Sequence, residues 1–536
     1  MKTSKVLFLL TGLLAFVLLN GCTKKAESSA QSGGAATPAA PAEITVEIFD
    51  RGTDGGKSDP TNNEWTKWIQ EKILKDENIK VTFIPVNRWD EAAAMNNLMA
   101  AGNPPDVCYT YAGDMIANYQ VLGGLFDMAP YVDTLLKDLK AFLGNDTALP
   151  GRDFIRRVED SATGQLFAIQ GARMNTAMRN IFMRKDWLDK LGLPAPTTPE
   201  QFFDALVAFK EQDPGGVGKN NVIPFTMTND VRWLGANIAE SFIDPNMDIK
   251  TRWVNQAVER NLAVPGYKEG IRFMNKMFNA GLIDKDFALY KAPEDANNVI
   301  KAGFAGAFSG EWDLIYRDNF AILADLQKNL PGADIIPIDP MTSSDGLTHK
   351  GAYDKAGLYM FIPASSKNPE AAMRYLNWLA KFENYNFLQI GPEGIVHDIV
   401  NGIPKLKVAP GLWIQNSSQN IDYTMPINGL DLGDPALTIR AIASGYSWPA
   451  ERIEAAYNMS MTNAAPFPVI KPASPLIAAG PVQQTLVDKS SALLIQAIMA
   501  KPEEFDRIWD EGVKDWLASG AQEVINEREA KYIAPN

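Results

Sequence analysis

Glu43-Ile-Thr-Val-Glu-Ile-Phe49 is the stretch that decides the fold. Ile44, Val46 and Ile48 alternate with Thr45, Glu47 and Phe49, the two-residue period of a strand. A Gly- and Asp-rich loop follows at 50–60. Residues 62–75 then carry Trp65, Trp68, Ile69 and Ile73 at helical spacing, and 80–86 reads as a second strand. Strand, loop, helix, strand is a βαβ unit, so the sheet it starts is at least partly parallel and the fold class is α/β. A helix at about 89–101 and a strand at 106–111 continue the pattern.

Working outward, the middle of the chain is mostly helical. Thr198-Pro-Glu-Gln201 supplies a capping hydroxyl, proline at the first helical position and glutamine three residues after the cap; Pro214 stops that helix. A second helix at 267–280 ends at Gly281. Short strands are expected at 222–227, 302–308, 335–338 and 357–363, and a helix opens at Asn368-Pro-Glu370. The last helix, 502–517, lines Phe505, Ile508, Trp509, Val513, Trp516 and Leu517 along one stripe. No internal repeat is evident.

Upstream, Lys2 and Lys5 precede an apolar run at 6–19 that closes with Leu19-Asn-Gly-Cys22. The run is too short to remain as a membrane span and reads as a signal peptide, 1–21. A cysteine directly after the small Gly21 resembles a bacterial lipobox, in which Cys22 becomes the new N-terminus and carries a diacylglycerol; two or more acyl chains anchor a protein stably. Residues 22–42, rich in Ala, Ser, Gly, Pro and Thr, are then a tether holding the body off the membrane. The expected location is the cell envelope, facing the periplasm or the exterior.

The 536 residues carry a formal net charge of −13, or −15 once Lys2 and Lys5 leave with the signal peptide. A chain this acidic has no broad basic footprint for nucleic acid. Its length calls for two or three domains. With Cys22 acylated, Cys108 is the only thiol, so no internal disulfide forms; in the apolar run Asp106-Val-Cys-Tyr-Thr-Tyr111 it reads as buried and inert. Two histidines, His349 and His397, argue against a histidine-built zinc site or a Ser-His-Asp triad. Asp213-Pro-Gly-Gly-Val-Gly-Lys219 lacks the P-loop spacing, and the Gly-rich run 303–310 lacks the dinucleotide spacing. No catalytic residue, cofactor or metal is assigned.

Aromatic residues say more. Twelve tryptophans punctuate the chain, with Trp233, Trp312, Trp413 and Trp448 in loop-like contexts. Aromatic faces pack on the C–H faces of sugar rings, while carboxylates, amides and guanidinium groups bond the hydroxyls. For any single tryptophan, core packing is the competing role. Trp65, Trp68, Trp509 and Trp516 lie on amphipathic helices and belong to the core.

An ordered set of short motifs then becomes specific: Ala100-Ala-Gly-Asn-Pro-Pro-Asp-Val107, Gly123-Gly-Leu-Phe-Asp-Met-Ala-Pro-Tyr131, Thr163-Gly-Gln-Leu-Phe-Ala-Ile169, Met183-Arg-Lys-Asp-Trp-Leu-Asp-Lys-Leu-Gly-Leu-Pro194, Pro196-Thr-Thr-Pro-Glu-Gln-Phe202, Ala280-Gly-Leu-Ile-Asp284, Lys367-Asn-Pro-Glu-Ala371 and Gly391-Pro-Glu-Gly394. Their order and spacing resemble the extracellular solute-binding proteins of ABC importers, in the large lipoprotein branch associated with complex sugars. The chain departs from that pattern at 213–224. Relatives often place a calcium-type loop there, yet Gly215 and Val217 occupy intermediate ligand positions, and calcium takes about six to eight oxygens.

The resemblance implies a two-lobe periplasmic-binding-protein fold, type II-like, with a hinge between lobes. Lobe one is expected at 43–163 plus 352–405, lobe two at 173–345 plus 406–536. A sugar or oligosaccharide would lie in the interlobe cleft, favour the closed form and be delivered by a monomer to a membrane permease. Candidate cleft residues follow the strand ends: Arg51 and Asp54, Tyr111 and Asp114, Trp233, Glu311 and Trp312, then Trp413 and Trp448. The resemblance places an aromatic at Trp312 against a sugar ring. Two other classes stay open: a surface glycosidase, needing two carboxylates about 5–10 Å apart across a groove, and a structural or adhesive lipoprotein with no closable cleft. Within the binding class, a peptide is the alternative ligand.

Overall fold

The computed structural model describes residues 40–52, 59–145, 154–341, 350–407, 413, 420–466 and 470–534. The signal peptide, Cys22, the tether up to residue 39, Asp54 and His349 lie outside these residues.

The opening strand, Ala42–Asp50, pairs in parallel with Ile79–Asn87, with Ile44 opposite Val81. On its other side Val46 bridges Val107 in parallel. Cys108–Thr110 continues that segment antiparallel to Ala356–Phe361, which runs antiparallel to Ile169–Arg173. Ile427–Asn428 closes this edge, parallel to Ile169–Arg173. The crossover helix Glu64–Glu77 starts on a reciprocal cap: the Asn63 side chain accepts from the Trp65 and Thr66 amides, and the Thr66 hydroxyl accepts from the Asn63 amide. Trp65, Ile69 and Ile73 are buried on its inner face. The helices Glu64–Glu77 and Pro369–Leu379 both pack on the sheet. Ala42–Asp50 is therefore an interior strand, and Glu47 and Phe49, on the face its alternation marks as polar, are as buried as Val46.

A second sheet runs in the order Ile223–Thr226, Ala305–Glu311, Arg179–Arg184, Ile335–Ile338. Ile223–Thr226 and Ala305–Glu311 are parallel, whereas Arg179–Arg184 runs antiparallel to both its neighbours. One core, with Trp187, Phe202, Phe209, Phe225, Trp509 and Trp516, gathers the helices Pro199–Gln212, Tyr267–Asn279, Gln483–Met499 and Phe505–Trp516. A smaller one holds Phe182, Phe308, Trp312 and Tyr316 beneath the helix Ala450–Met461. The chain does not stop at the end of the expected last helix: a π turn at Leu517–Ala521, with Gly520 at φ 118°, leads into Gln522–Ala530.

Each lobe thus has its own sheet and its own apolar interior, and the chain crosses between them three times: at 174–178, between Ile338 and Ala356, and again after Asn428. One segment departs from the expected division. Residues 421–428 fall in the stretch expected in lobe two, but Tyr423 and Met425 are buried in the first core and Ile427–Asn428 extends the first sheet. The open edge of Ile169–Arg173 supplies the unpaired backbone groups that draw the segment back.

Candidate ligand-binding cleft

The strand ends of the two sheets meet where the chain crosses. In the first lobe Arg51, just past Ala42–Asp50, donates from Nε to Asp422 Oδ2 at 2.6 Å and from Nη2 to Asp422 Oδ1 at 2.8 Å. The Asp422 carboxylate is fully buried. Phe49 and Tyr111 stack with ring centroids 6.3 Å apart, and the Arg88 guanidinium lies 4.7 Å from the Tyr111 ring. Asn428 Nδ2 donates to the Tyr111 hydroxyl at 3.3 Å. Burial, reinforced by the charge on Asp422, pushes the Tyr111 hydroxyl up, so it stays protonated and can donate.

Across the crossing, Arg173 lies 4.3 Å from the Tyr353 ring, Tyr353 and Trp233 are 6.2 Å apart, and Arg179 lies 4.3 Å from the Trp233 ring. Arg179 Nη1 also donates to the Trp233 carbonyl at 3.0 Å. Arg173 ends a first-lobe strand and Arg179 begins a second-lobe strand, paired there with Glu311. Glu311 is engaged by Arg317, which also donates to Asp313 at 2.7 Å. The Tyr446 hydroxyl donates to the other Asp313 oxygen at 2.5 Å. The result is a seam of arginines and aromatic rings running from Arg51 in one lobe to Glu311 in the other.

Of the residues expected at the cleft, Arg51, Tyr111, Trp233 and Glu311 belong to this seam. Asp114 stands in the first turn of Gly113–Val121, where its carboxylate takes a hydrogen bond from Gln483 of the second lobe; burial raises its pKa. Trp312 does not face the seam: its ring is 4% exposed and packs edge-on to Tyr457 at 5.4 Å. The strand Ala305–Glu311 ends one residue earlier, so alternation turns Trp312 into the core while Glu311 turns out. Trp413 stands edge-on to Trp65 at 4.9 Å and accepts from its indole N–H. Trp448 lies beside Tyr316 at the margin of the smaller core. Asp54 lies outside the described residues. Arg88, Arg173, Arg179, Tyr353 and Asn428 were not anticipated; the available signal was an arginine on each side of the expected crossing, in an acidic chain.

The loop after Pro199–Gln212 does not fit a divalent cation. Both Asp213 oxygens accept backbone amides, from Val217 at 3.0 Å and Gly218 at 2.8 Å. The Lys190 ammonium donates to the Pro214 carbonyl at 2.6 Å, placing a positive charge among the oxygens a metal would need. Among the described residues no group of three or more His, Cys, Asp or Glu could hold a metal ion.

The model of the bacterial extracellular solute-binding protein family matches residues 59–384. The chain belongs to that family. Lipoprotein LipO of Bacillus subtilis (strain 168) is 25% identical over 69% of this chain and 69% of its own length. The fructooligosaccharide ABC transporter substrate-binding protein FusA of Streptococcus pneumoniae serotype 4 is 24% identical over 70% of this chain and 68% of its own. The crystal structure of the alginate-binding protein AlgQ2 without calcium ion superposes with a TM-score of 0.63 at 19% identity, covering 92% of this chain and 98% of that one. This solute-binding protein therefore has the two-lobe fold, and its arginine–aromatic seam lies where the lobes meet. No helix of the described residues is long and apolar enough to cross a membrane.

Proposed function

We propose that this solute-binding protein captures a sugar or oligosaccharide between its lobes and delivers it, chemically unchanged, to an ABC permease. It would work as a monomer held to the cell envelope through lipidated Cys22. The observation that carries the reading is the seam itself: Tyr111, Tyr353 and Trp233 offer ring faces, and Arg51, Arg88, Arg173 and Arg179 offer N–H donors, from both lobes. Flat apolar faces flanked by fixed donors suit a pyranose ring with its hydroxyls. FusA, whose name records a fructooligosaccharide, supports the same ligand class.

Nothing in the reading calls for bond breaking. Asp422, Glu311 and Asp313, carboxylates of the seam, are each engaged by an arginine, which suits them to orient donors rather than to trade protons. A ligand touching both lobes favours the closed form by its extra affinity for that form. Thermal denaturation across a panel of mono-, di- and trisaccharides and short peptides tests this. A ligand at about 100 times its dissociation constant adds roughly 2.7 kcal/mol to stability. A peptide, and no saccharide, raising the melting temperature would overturn the sugar assignment; a chemically altered saccharide would overturn passive capture.

A further inference from the structure

We infer that Trp89 is a sugar-stacking residue at the outer end of the cleft, and that it makes affinity depend on the length of the ligand. This rests on the sugar-binding reading above and deepens it. Among the described tryptophans Trp89 alone is exposed, at 71%. A lone apolar side chain on a surface needs no explanation, but this one is joined to the seam. The Arg88 guanidinium stands among three rings, 5.5 Å from Trp89, 4.7 Å from Tyr111 and 5.3 Å from Phe49. Glu91 holds Arg88 at 3.1 Å, and accepts from the Thr110 hydroxyl at 3.0 Å and the Tyr111 amide at 3.3 Å. The Trp89 amide donates to Asn87 Oδ1 at 2.8 Å. The backbone beneath the indole is therefore fixed while its ring stays open to solvent, so a partner stacking there finds the platform already in place.

Topology sets how far this platform stands from the crossing. The strands of the first lobe lie side by side in the order Ile79–Asn87, Ala42–Asp50, Cys108–Thr110, Ala356–Phe361, Ile169–Arg173. Trp89 follows the outermost of them, and Arg173, with Tyr353 beneath it, ends the fifth. Four strand spacings of about 4.8 Å put roughly 19 Å between the two places. One sugar ring cannot touch both. Arg51 and Tyr111 stand past the ends of the two strands that follow the outermost one, so a chain laid from Tyr353 and Trp233 to Trp89 passes both. An aromatic face accepts the C–H face of many sugars. Trp89 therefore selects for reach, not for the identity of the unit it stacks.

The test is calorimetric titration of the full-length protein with gluco-, manno-, galacto- and fructo-oligosaccharides of one to six units. The expected result, in a series that binds, is a rise in affinity of about tenfold at the length that first reaches Trp89. Trp89→Ala should erase that step and Trp89→Phe should keep most of it, both with the wild-type melting transition, because the ring is exposed. Hydroxyl-radical footprinting gives a second readout: the oxidation rate of Trp89 should fall several-fold when a long member of the series saturates the protein, and stay high with a short one. A wild-type series without a step, a step that survives Trp89→Ala, or Trp89 oxidised equally fast with long and short ligands overturns the inference and leaves the sugar reading standing. Binding of no saccharide at any length overturns both.

Discussion

Arg51 grips Asp422 through two parallel hydrogen bonds of 2.6 and 2.8 Å, joining residues 371 positions apart in the sequence. The pair ties the end of the first strand to the segment that returns at 421–428. Arg51→Ala would leave the fully buried Asp422 carboxylate without this fork, and breaking a buried pair from one side costs about 3–5 kcal/mol. Urea denaturation should show the midpoint falling with an unchanged slope.

Glu47 sits wholly inside the first lobe, with the Tyr109 amide donating to one carboxylate oxygen. Burial, aided by the charges of Glu91 and Asp422, holds its pKa well above the ordinary 4.5. The folded state therefore keeps a proton that the unfolded chain releases. Below pH 4.5 this group costs nothing; as pH rises from there towards the folded pKa, stability is lost. Glu47→Gln, which mimics the neutral form, should raise the melting temperature at pH 7 and flatten its dependence on pH. A variant that melts lower at pH 7 than at pH 4.5, as steeply as the wild type, would contradict the assignment.

Trp233 and Trp312 should separate cleanly. Trp233→Ala removes a partly buried ring from the seam and should weaken saccharide binding by about tenfold or more while the melting transition stays cooperative. Trp312→Ala empties a core position, 4% exposed, and should cost about 3–5 kcal/mol of stability. Paired titration and melting curves check both.

In the 213–224 loop, calcium or a chelator should leave the melting temperature unchanged, because the Asp213 oxygens already hold the amides of Val217 and Gly218. Asp213→Ala, losing those bonds, should lower stability by about 1 kcal/mol. A melting temperature that climbs with calcium would sink this account.

Much of the scaffold was legible from the chain, for local reasons. Ile44, Val46 and Ile48 marked a strand, Thr198 capped the helix that follows it, and Ile223–Thr226 and Ile335–Ile338 stand within a residue or two of their expected places. What sequence could not deliver was long-range. Nothing near Tyr423 tells that it will be buried in the first core, because the partner edge, Ile169–Arg173, lies some 250 positions earlier. Strand-end topology singled out Arg51, Tyr111, Trp233 and Glu311, which the fold gathers along the seam, but a tryptophan reads alike whether it faces solvent or, like Trp312, the core. Arg173 and Arg179 have meaning only once Tyr353 and Trp233 are seen beneath them.

The return of Ile427–Asn428 to the edge of Ile169–Arg173 also sets a timetable. The first lobe lacks its last strand until about four-fifths of the polypeptide has been synthesised. Pairings this distant close slowly, because a long loop must be ordered before any contact rewards it. Every strand of the second sheet has therefore left the ribosome before the first sheet can close, so the half of the molecule that begins first is the one completed last.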